Sequence, residues 1–214
     1  MSIIYTNEEG LVINKQQALL LPSYYINTYE NNNRKKIEYT GFGENNTGRT
    51  IQYYLSPTEN KNQILETYSD GKTGVSIYLN ATSQNGFTLW NSEGYGLGKI
   101  LKRKEVVVYN SKDWEVMHCQ IDINTGEIIG RGEKWYYGNQ FPNQFDDLLL
   151  IFHYGTDSQL KEVQDFNYTY GLEMGSVQLD YFLSYMHSIQ QDFPWDQHPY
   201  FHMLTPYLPE SINL

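Results

Sequence analysis

Three stretches of the sequence bring reactive side chains close together. His118-Cys119 sets an imidazole beside a thiol, the pairing that a nucleophilic cysteine needs. Consecutive residues on a strand point to opposite faces, so the pair cannot act as a dyad there. Cys119 reads as a small buried hydrophobe. His198-Pro199-Tyr200-Phe201-His202 spaces two histidines at i and i+4, with Asp192, Asp196 and His187 nearby. Those types could ligate a metal if a helix aligned them. Pro199 lies between the histidines and Pro194 lies just before them, so no H-E-x-x-H helix can form and the histidines read as surface residues. Gly94-Tyr95-Gly96-Leu97-Gly98-Lys99 has glycines suited to a phosphate loop. Ile100 stands where that loop needs Ser or Thr, and no helix is expected to follow, so the stretch reads as a turn. Asp146-Asp147 are neighbours that diverge on a strand, and no G-x-S-x-G elbow occurs. The residues therefore point to a non-enzymatic protein with no catalytic residue, cofactor or metal.

Charge gives a more definite lead. The 214-residue chain has a net charge of −10. Residues 141–214 hold ten acidic side chains and one basic one, Lys161, a net of −9; residues 1–140 carry a net of −1. An acidic stretch repels nucleic-acid phosphates and attracts cationic partners. The expected contact residues are Asp146, Asp147, Asp157, Asp165, Asp180, Asp192 and Asp196, with Trp195 and Tyr200 as aromatic anchors. The expected partner is a basic protein, with neither nucleic acid nor membrane. Arg34-Lys35-Lys36 and Lys99 with Lys102-Arg103-Lys104 form two basic clusters, read as solvated edge-strand residues that guard against edge pairing. The single cysteine rules out an internal disulfide and suits the cytoplasm. The first residues lack the basic and apolar regions of a signal peptide, and the Asn45-Asn46-Thr47, Asn80-Ala81-Thr82 and Asn167-Tyr168-Thr169 triplets read as chance in an Asn-rich chain.

These side chains would be positioned by a mainly β, antiparallel meander or barrel-like sheet, treated as one domain, with one C-terminal α-helix packed on it. Residues 1–170 form the β-rich body. Strand candidates include Ala18–Tyr29, Lys36–Gly41, Gln63–Tyr68, Lys99–Tyr109, Trp114–Ile121 and Glu127–Tyr137, rich in Val, Ile, Thr, Tyr and Trp. Ser69-Asp70-Gly71-Lys72 reads as a two-residue hairpin, and no helix is expected between strands. A break falls at Phe141-Pro142-Asn143, and Leu148–Tyr154 with Leu160–Tyr170 reads as a hairpin. The helix spans residues 176–193, from an N-cap at Ser176 to a stop at Pro194. Its apolar stripe is Phe182, Tyr185, Met186, Ile189 and Phe193. Residues 194–214 read as an extended tail held down by Trp195, Tyr200, Phe201 and Tyr207.

The 20 tyrosines bear on function as well as on fold. Thr67-Tyr68-Ser69-Asp70-Gly71-Lys72, Glu133-Lys134-Trp135-Tyr136-Tyr137-Gly138-Asn139 and His153-Tyr154-Gly155-Thr156-Asp157-Ser158-Gln159-Leu160 resemble MORN-type β-hairpin repeats. The resemblance covers three scattered segments without a regular period. It implies β-hairpins, and a role like that of the bacterial antitoxin or immunity proteins that use such repeats; it carries over no functional residue. The leading expectation is thus a protein-binding module that captures a cationic partner. The alternative is a carbohydrate-binding or carbohydrate-active β domain built on Trp90, Trp114, Trp135 and Trp195.

Overall fold

The computed structural model describes residues 1–42, 48–138, 144–172 and 175–210. The Asn45-Asn46-Thr47 triplet, the Phe141-Pro142-Asn143 break, Asn139 and the last four residues lie outside the described residues. The chain is mainly β and antiparallel, with a C-terminal helix, as the strand-and-turn pattern predicts. Its contacts gather into two compact units. Unit 1 comprises residues 1–80 and 91–104, and unit 2 comprises residues 81–90 and 105–214. Three strands, β6 (Thr73–Gln84), β7 (Phe87–Tyr95) and β8 (Leu101–Tyr109), contribute to both.

Unit 1 opens with β1 (Ser2–Thr6), β2 (Val12–Ile13), the one-turn helix α1 (Lys15–Ala18), β3 (Tyr24–Glu30), β4 (Asn33–Phe42) and β5 (Gly48–Tyr54). Its strand order begins β2-β1-β3-β4-β5-β6. Ala18–Tyr29 is therefore not one strand. Asn14 caps α1 through a box in which Asn14 and Gln17 each accept from the other's backbone amide, and the strand starts six residues after Ala18. Asn31 and Asn32 take positive φ of 50° and 64° and turn β3 into β4, a hairpin built on the amide side chains that tolerate this region.

A second correction concerns Gln63–Tyr68. Lys61–Tyr68 is a helix, α2, not a strand. Asn60 caps it by accepting from the Asn62 amide, and Leu65 buries against Val75 and Ile77 of β6. The helix is a crossover: β5 pairs with β6 in parallel, from Arg49 opposite Thr73 to Tyr54 opposite Tyr78. Asp70-Gly71 accordingly shapes a helix-to-strand loop rather than a hairpin. Asp70 Oδ1 accepts from the Lys72 and Thr73 amides at 2.9 and 2.8 Å, and Gly71 supplies φ +82°.

The basic clusters also differ from expectation. β4 lies between β3 and β5, and β8 lies between β7 and β9 (Glu115–Ile121), so neither is an edge strand. Lys35 is buried, pairs with Glu59 and sits 4.9 Å from the Tyr53 ring centroid. Lys36 donates to Glu38 at 3.1 Å, and Lys99 pairs with Glu66. These three cations are neutralised within unit 1.

Unit 2 continues through β9 into β10 (Ile128–Tyr137), a short α3 (Gln144–Asp147), β11 (Leu148–Tyr154), β12 (Leu160–Asp165), β13 (Ser176–Val177) and α4 (Leu179–Ser188). From β8 to β13 each strand lies beside its sequence neighbour, the order of a meander. One face is the core: Met117, Cys119, Leu150, Phe152 and Val163 pack with Phe182 and Met186 of α4 and with Phe193, Tyr200, Phe201 and Leu204 beyond it. Of the predicted helical stripe, Phe182, Tyr185 and Met186 lie on the helix, whereas Ile189 caps it and Phe193 packs on the core from beyond it; the ends of the helix also differ from prediction. Ser176 pairs with Gln164 in β13, and Gln178 occupies the N-cap. The helix closes at Ser188, where Gln190 turns to φ +60°, before Pro194 is reached. The tail is not extended: Trp195–Gln197 and Pro199–Phe201 form 3-10 turns. Tyr154 hydroxyl donates to Phe201 carbonyl at 2.8 Å, and Lys134 Nζ donates to the carbonyls of Tyr200, Met203 and Pro206 at 2.6, 2.8 and 3.1 Å.

Candidate functional site: an acid–imidazole row on the unit 2 sheet

The side chains opposite the unit 2 core face form a row fixed by strand register. In β10, Lys134 opposes Met117 and Phe152 on the core side. Its neighbour Glu133 must point the other way. Glu133 stands opposite His118 of β9 on one flank and opposite His153 of β11 on the other. His153 in turn stands opposite Glu162 of β12. Side chains directly opposite on adjacent strands are within reach of one another. The result is an alternating line, His118–Glu133–His153–Glu162, across four strands.

Hydrogen bonds extend it at both ends. His118 Nε2 lies 3.1 Å from Glu105 Oε1 on β8, and Arg131 pairs with Glu162. His153 Nδ1 lies 3.2 Å from Glu133 Oε1, off the line of a good hydrogen bond, and His153 Nε2 lies 3.1 Å from Gln164 Oε1. Trp135 Nε1 donates to Glu133 Oε2 at 3.4 Å. His153 is buried, whereas His118 and Glu133 are half-buried.

This setting displaces the titrations. The Glu105 carboxylate raises the His118 imidazole above its ordinary value, against the opposing cost of burial. His153 holds Glu133 low. Burial pushes Glu115 up to about 7, with repulsion from Glu105 and Glu133 adding to the rise and His118 opposing it. Cys119, beside His118 in sequence, lies in the core on the opposite face, where burial pushes its thiol up to about 11. Among the described residues no group of three or more His, Cys, Asp or Glu is arranged to hold a metal ion.

The contact residues expected from the sequence are separated by this arrangement. Asp146, Asp157, Asp180, Asp192 and Asp196 are exposed, on α3, the β11–β12 turn, the first turn of α4 and the segment after it. Asp157 binds Lys161 at 2.7 Å, and Asp192 lies 3.0 Å from His187. Asp147, Asp165 and Tyr200 are buried. Asp165 Oδ2 accepts the Tyr170 and Leu172 amides at 3.0 Å each, and Tyr200 hydroxyl donates to Tyr207 carbonyl at 2.8 Å. Trp195 is half-buried and stacks on His202 at 4.3 Å between centroids. Trp114 is buried against Tyr137. His198 stacks on Phe193, while His202 lies against Trp195, so the two histidines have separate aromatic neighbours. Glu105, Glu133, His153 and Glu162 are invisible as a site in the sequence, because only the register unites them; the alternation of His118 with Cys119 is the one local signal.

Among the described residues no helix is long and apolar enough to cross a membrane. No protein-family model matches the chain, and neither a curated protein nor a solved structure matches it.

Proposed function

We propose that the protein is a non-enzymatic protein-binding module that captures a basic partner protein through its acidic C-terminal third, in the manner of an immunity or antitoxin protein. One observation carries this reading. Lys161, the one basic side chain between 141 and 214, is already engaged by Asp157 at 2.7 Å. The exposed carboxylates of Asp180, Asp192 and Asp196 thus stand in a stretch that offers them no second lysine or arginine. Such a field speeds encounter with a cationic surface and weakens with salt. Trp195, half-buried beside Asp196, supplies an aromatic anchor at that surface. The single, buried Cys119 is in keeping with a reducing compartment, and we place the protein in the cytoplasm on that ground.

The test is affinity capture from lysate of the source cells with the wild-type chain and with the D180K/D192K/D196K variant. All three substitutions are at exposed positions and leave the core intact. A strongly basic protein held by the wild type at low salt, released at high salt and absent from the variant supports the proposal. Equal retention by both proteins, or retention that salt does not weaken, overturns it.

A further inference from the structure

We propose that Asn85-Gly86, at the tip of the β6–β7 hairpin, is a site of spontaneous deamidation whose product lets go of the tail at Pro209-Glu210. The first observation is the dipeptide. Asn85-Gly86 is the one Asn-Gly step in the chain, and both residues are exposed. They form the whole loop between Gln84 and Phe87, with φ of 52° and 79°, the two positive values of a type I′ turn. Such a turn closes its hydrogen bond between the flanking residues, so the Gly86 amide is not a ladder donor. Glycine has no side chain to screen that nitrogen, and the nearest atom beyond its chain neighbours that a Cβ there would meet is Ser111 Cβ, at 4.0 Å. The second observation is what the Asn85 side chain holds. Its Nδ2 donates to the Glu210 carbonyl at 2.8 Å and to the Pro209 carbonyl at 3.5 Å, and Gln84 Nε2 donates to the same Pro209 carbonyl at 3.4 Å. A carbonyl only accepts, so only the amide nitrogen of Asn85 can serve these two. The tail is thus joined to a hairpin tip about 125 residues earlier in the chain through the group that deamidation removes.

The chemistry needs only water. The Gly86 backbone nitrogen attacks Asn85 Cγ. An N–Cγ bond forms, the Cγ–Nδ2 bond breaks, and the Gly86 amide proton leaves with the side-chain nitrogen as ammonia. Water then opens the cyclic imide. Hydrolysis at Cγ leaves an aspartate side chain; hydrolysis at the backbone carbonyl leaves isoaspartate, with one more methylene in the main chain. The net exchange is one water in and one ammonia out, with no oxidant or reductant. Attack requires Asn85 to leave its turn conformation and its side chain to release Glu210, so the reaction runs from brief openings of the exposed tip. Either product carries a carboxylate where the amide was. A carboxylate accepts and does not donate, so it meets the Pro209 and Glu210 carbonyls with oxygen against oxygen. Isoaspartate also lengthens a loop whose two-residue geometry fixes the register of the hairpin. Gln84 alone then holds Pro209. Lys134 and Tyr200 still hold the carbonyls of Pro206 and Tyr207, so the release is confined to the residues around Pro209.

The experiment ages the purified protein in mildly alkaline buffer made with heavy-oxygen water and maps its peptides by mass spectrometry, beside N85Q and N85D. The expected result is label at position 85, divided between aspartate and isoaspartate, before any other asparagine is converted. N85Q gains no label there, because its longer side chain closes the imide ring far more slowly while still presenting N–H₂ to the tail. N85D keeps a turn that Asp-Gly also forms and lacks the tether from the start. Protease cleavage between Tyr207 and Glu210 is about twofold to tenfold faster in N85D and in the aged wild type than in the fresh protein, the ratio for losing one net hydrogen bond where cleavage follows the open population. Aged N85Q is cleaved at the fresh rate. An Asn85 that keeps its amide through the ageing, or an N85D tail cleaved no faster than the fresh wild type, overturns the proposal.

Discussion

Lys134 Nζ donates to the carbonyl of Tyr200, 66 residues later in the chain, at 2.6 Å and lies 3.7 Å from the centroid of the same residue's ring. With Met203 and Pro206 carbonyls also accepting, all three ammonium protons are used, on a side chain with no exposed surface. Burial pushes Lys134 down to about 7, while three carbonyl dipoles and an aromatic face favour its charged form. A lysine on β10 thus holds down the turns that follow α4 and close the unit 2 core.

Removing that ammonium strands three buried carbonyls. K134M is expected to lower unfolding stability by about 2–4 kcal/mol, the range for breaking a buried, hydrogen-bonded charge. Urea titration monitored by tryptophan fluorescence checks this. The wild type and variant should also differ in early proteolysis of the segment after Ser188, which loses its tether. A variant as stable as the wild type would show that the carbonyls find water at no cost.

Asp165 separates structural carboxylates from surface ones. It is buried, and its Oδ2 accepts two backbone amides, of Tyr170 and Leu172. D165A leaves both amides without an acceptor and should cost about 2–3 kcal/mol. D165N keeps an oxygen for them and should cost less than half of that. Thermal melts of both variants beside D196N, an exposed position expected to change stability by less than about 0.5 kcal/mol, make the comparison. Equal losses in D165A and D165N would mean that the charge, rather than the two amide bonds, is what the fold requires.

Local pattern carries part of this fold. The opposed faces of His118 and Cys119, the apolar stripe through Phe182 and Met186, and the β9 to β12 strands are all visible in short windows of sequence. Two departures have local causes. Gln63–Tyr68 reads as strand because Ile64-Leu65 and Tyr68 suit either state; the Asn60 cap and the helix formers Lys61, Gln63, Leu65 and Glu66 tell for helix. Asp70-Gly71 reads as a hairpin because the same Asx turn also serves a helix exit. The acid–imidazole row lies beyond local reading altogether. Its paired members His118–Glu105 and Arg131–Glu162 are 13 and 31 residues apart, and a register shift between Ile129 and Glu133 decides that Glu133 meets His118. A one-residue slip there would put Lys134 in the row and Glu133 in the core.

Glu115 gives the row a pH dependence of known sign. Its carboxyl is raised to about 7 in the folded chain against an ordinary value of 4.5, chiefly through burial. Below 4.5 both folded and unfolded chains hold the proton, and the ionisation has no effect on stability. Between 4.5 and 7 the folded chain binds the proton that the unfolded chain has released, so stability falls as pH rises through this window. Above 7 the loss is complete and constant. E115Q, which keeps the shape and cannot ionise, should match the wild type near pH 4 and exceed it by on the order of 2 kcal/mol at pH 8, since a tenfold change in proton affinity is worth about 1.4 kcal/mol and partial solvent access reduces the total. Denaturant unfolding at about pH 4, 6 and 8 measures that difference. A gap that stays flat across this range would mean that Glu115 titrates at its ordinary value in the folded chain.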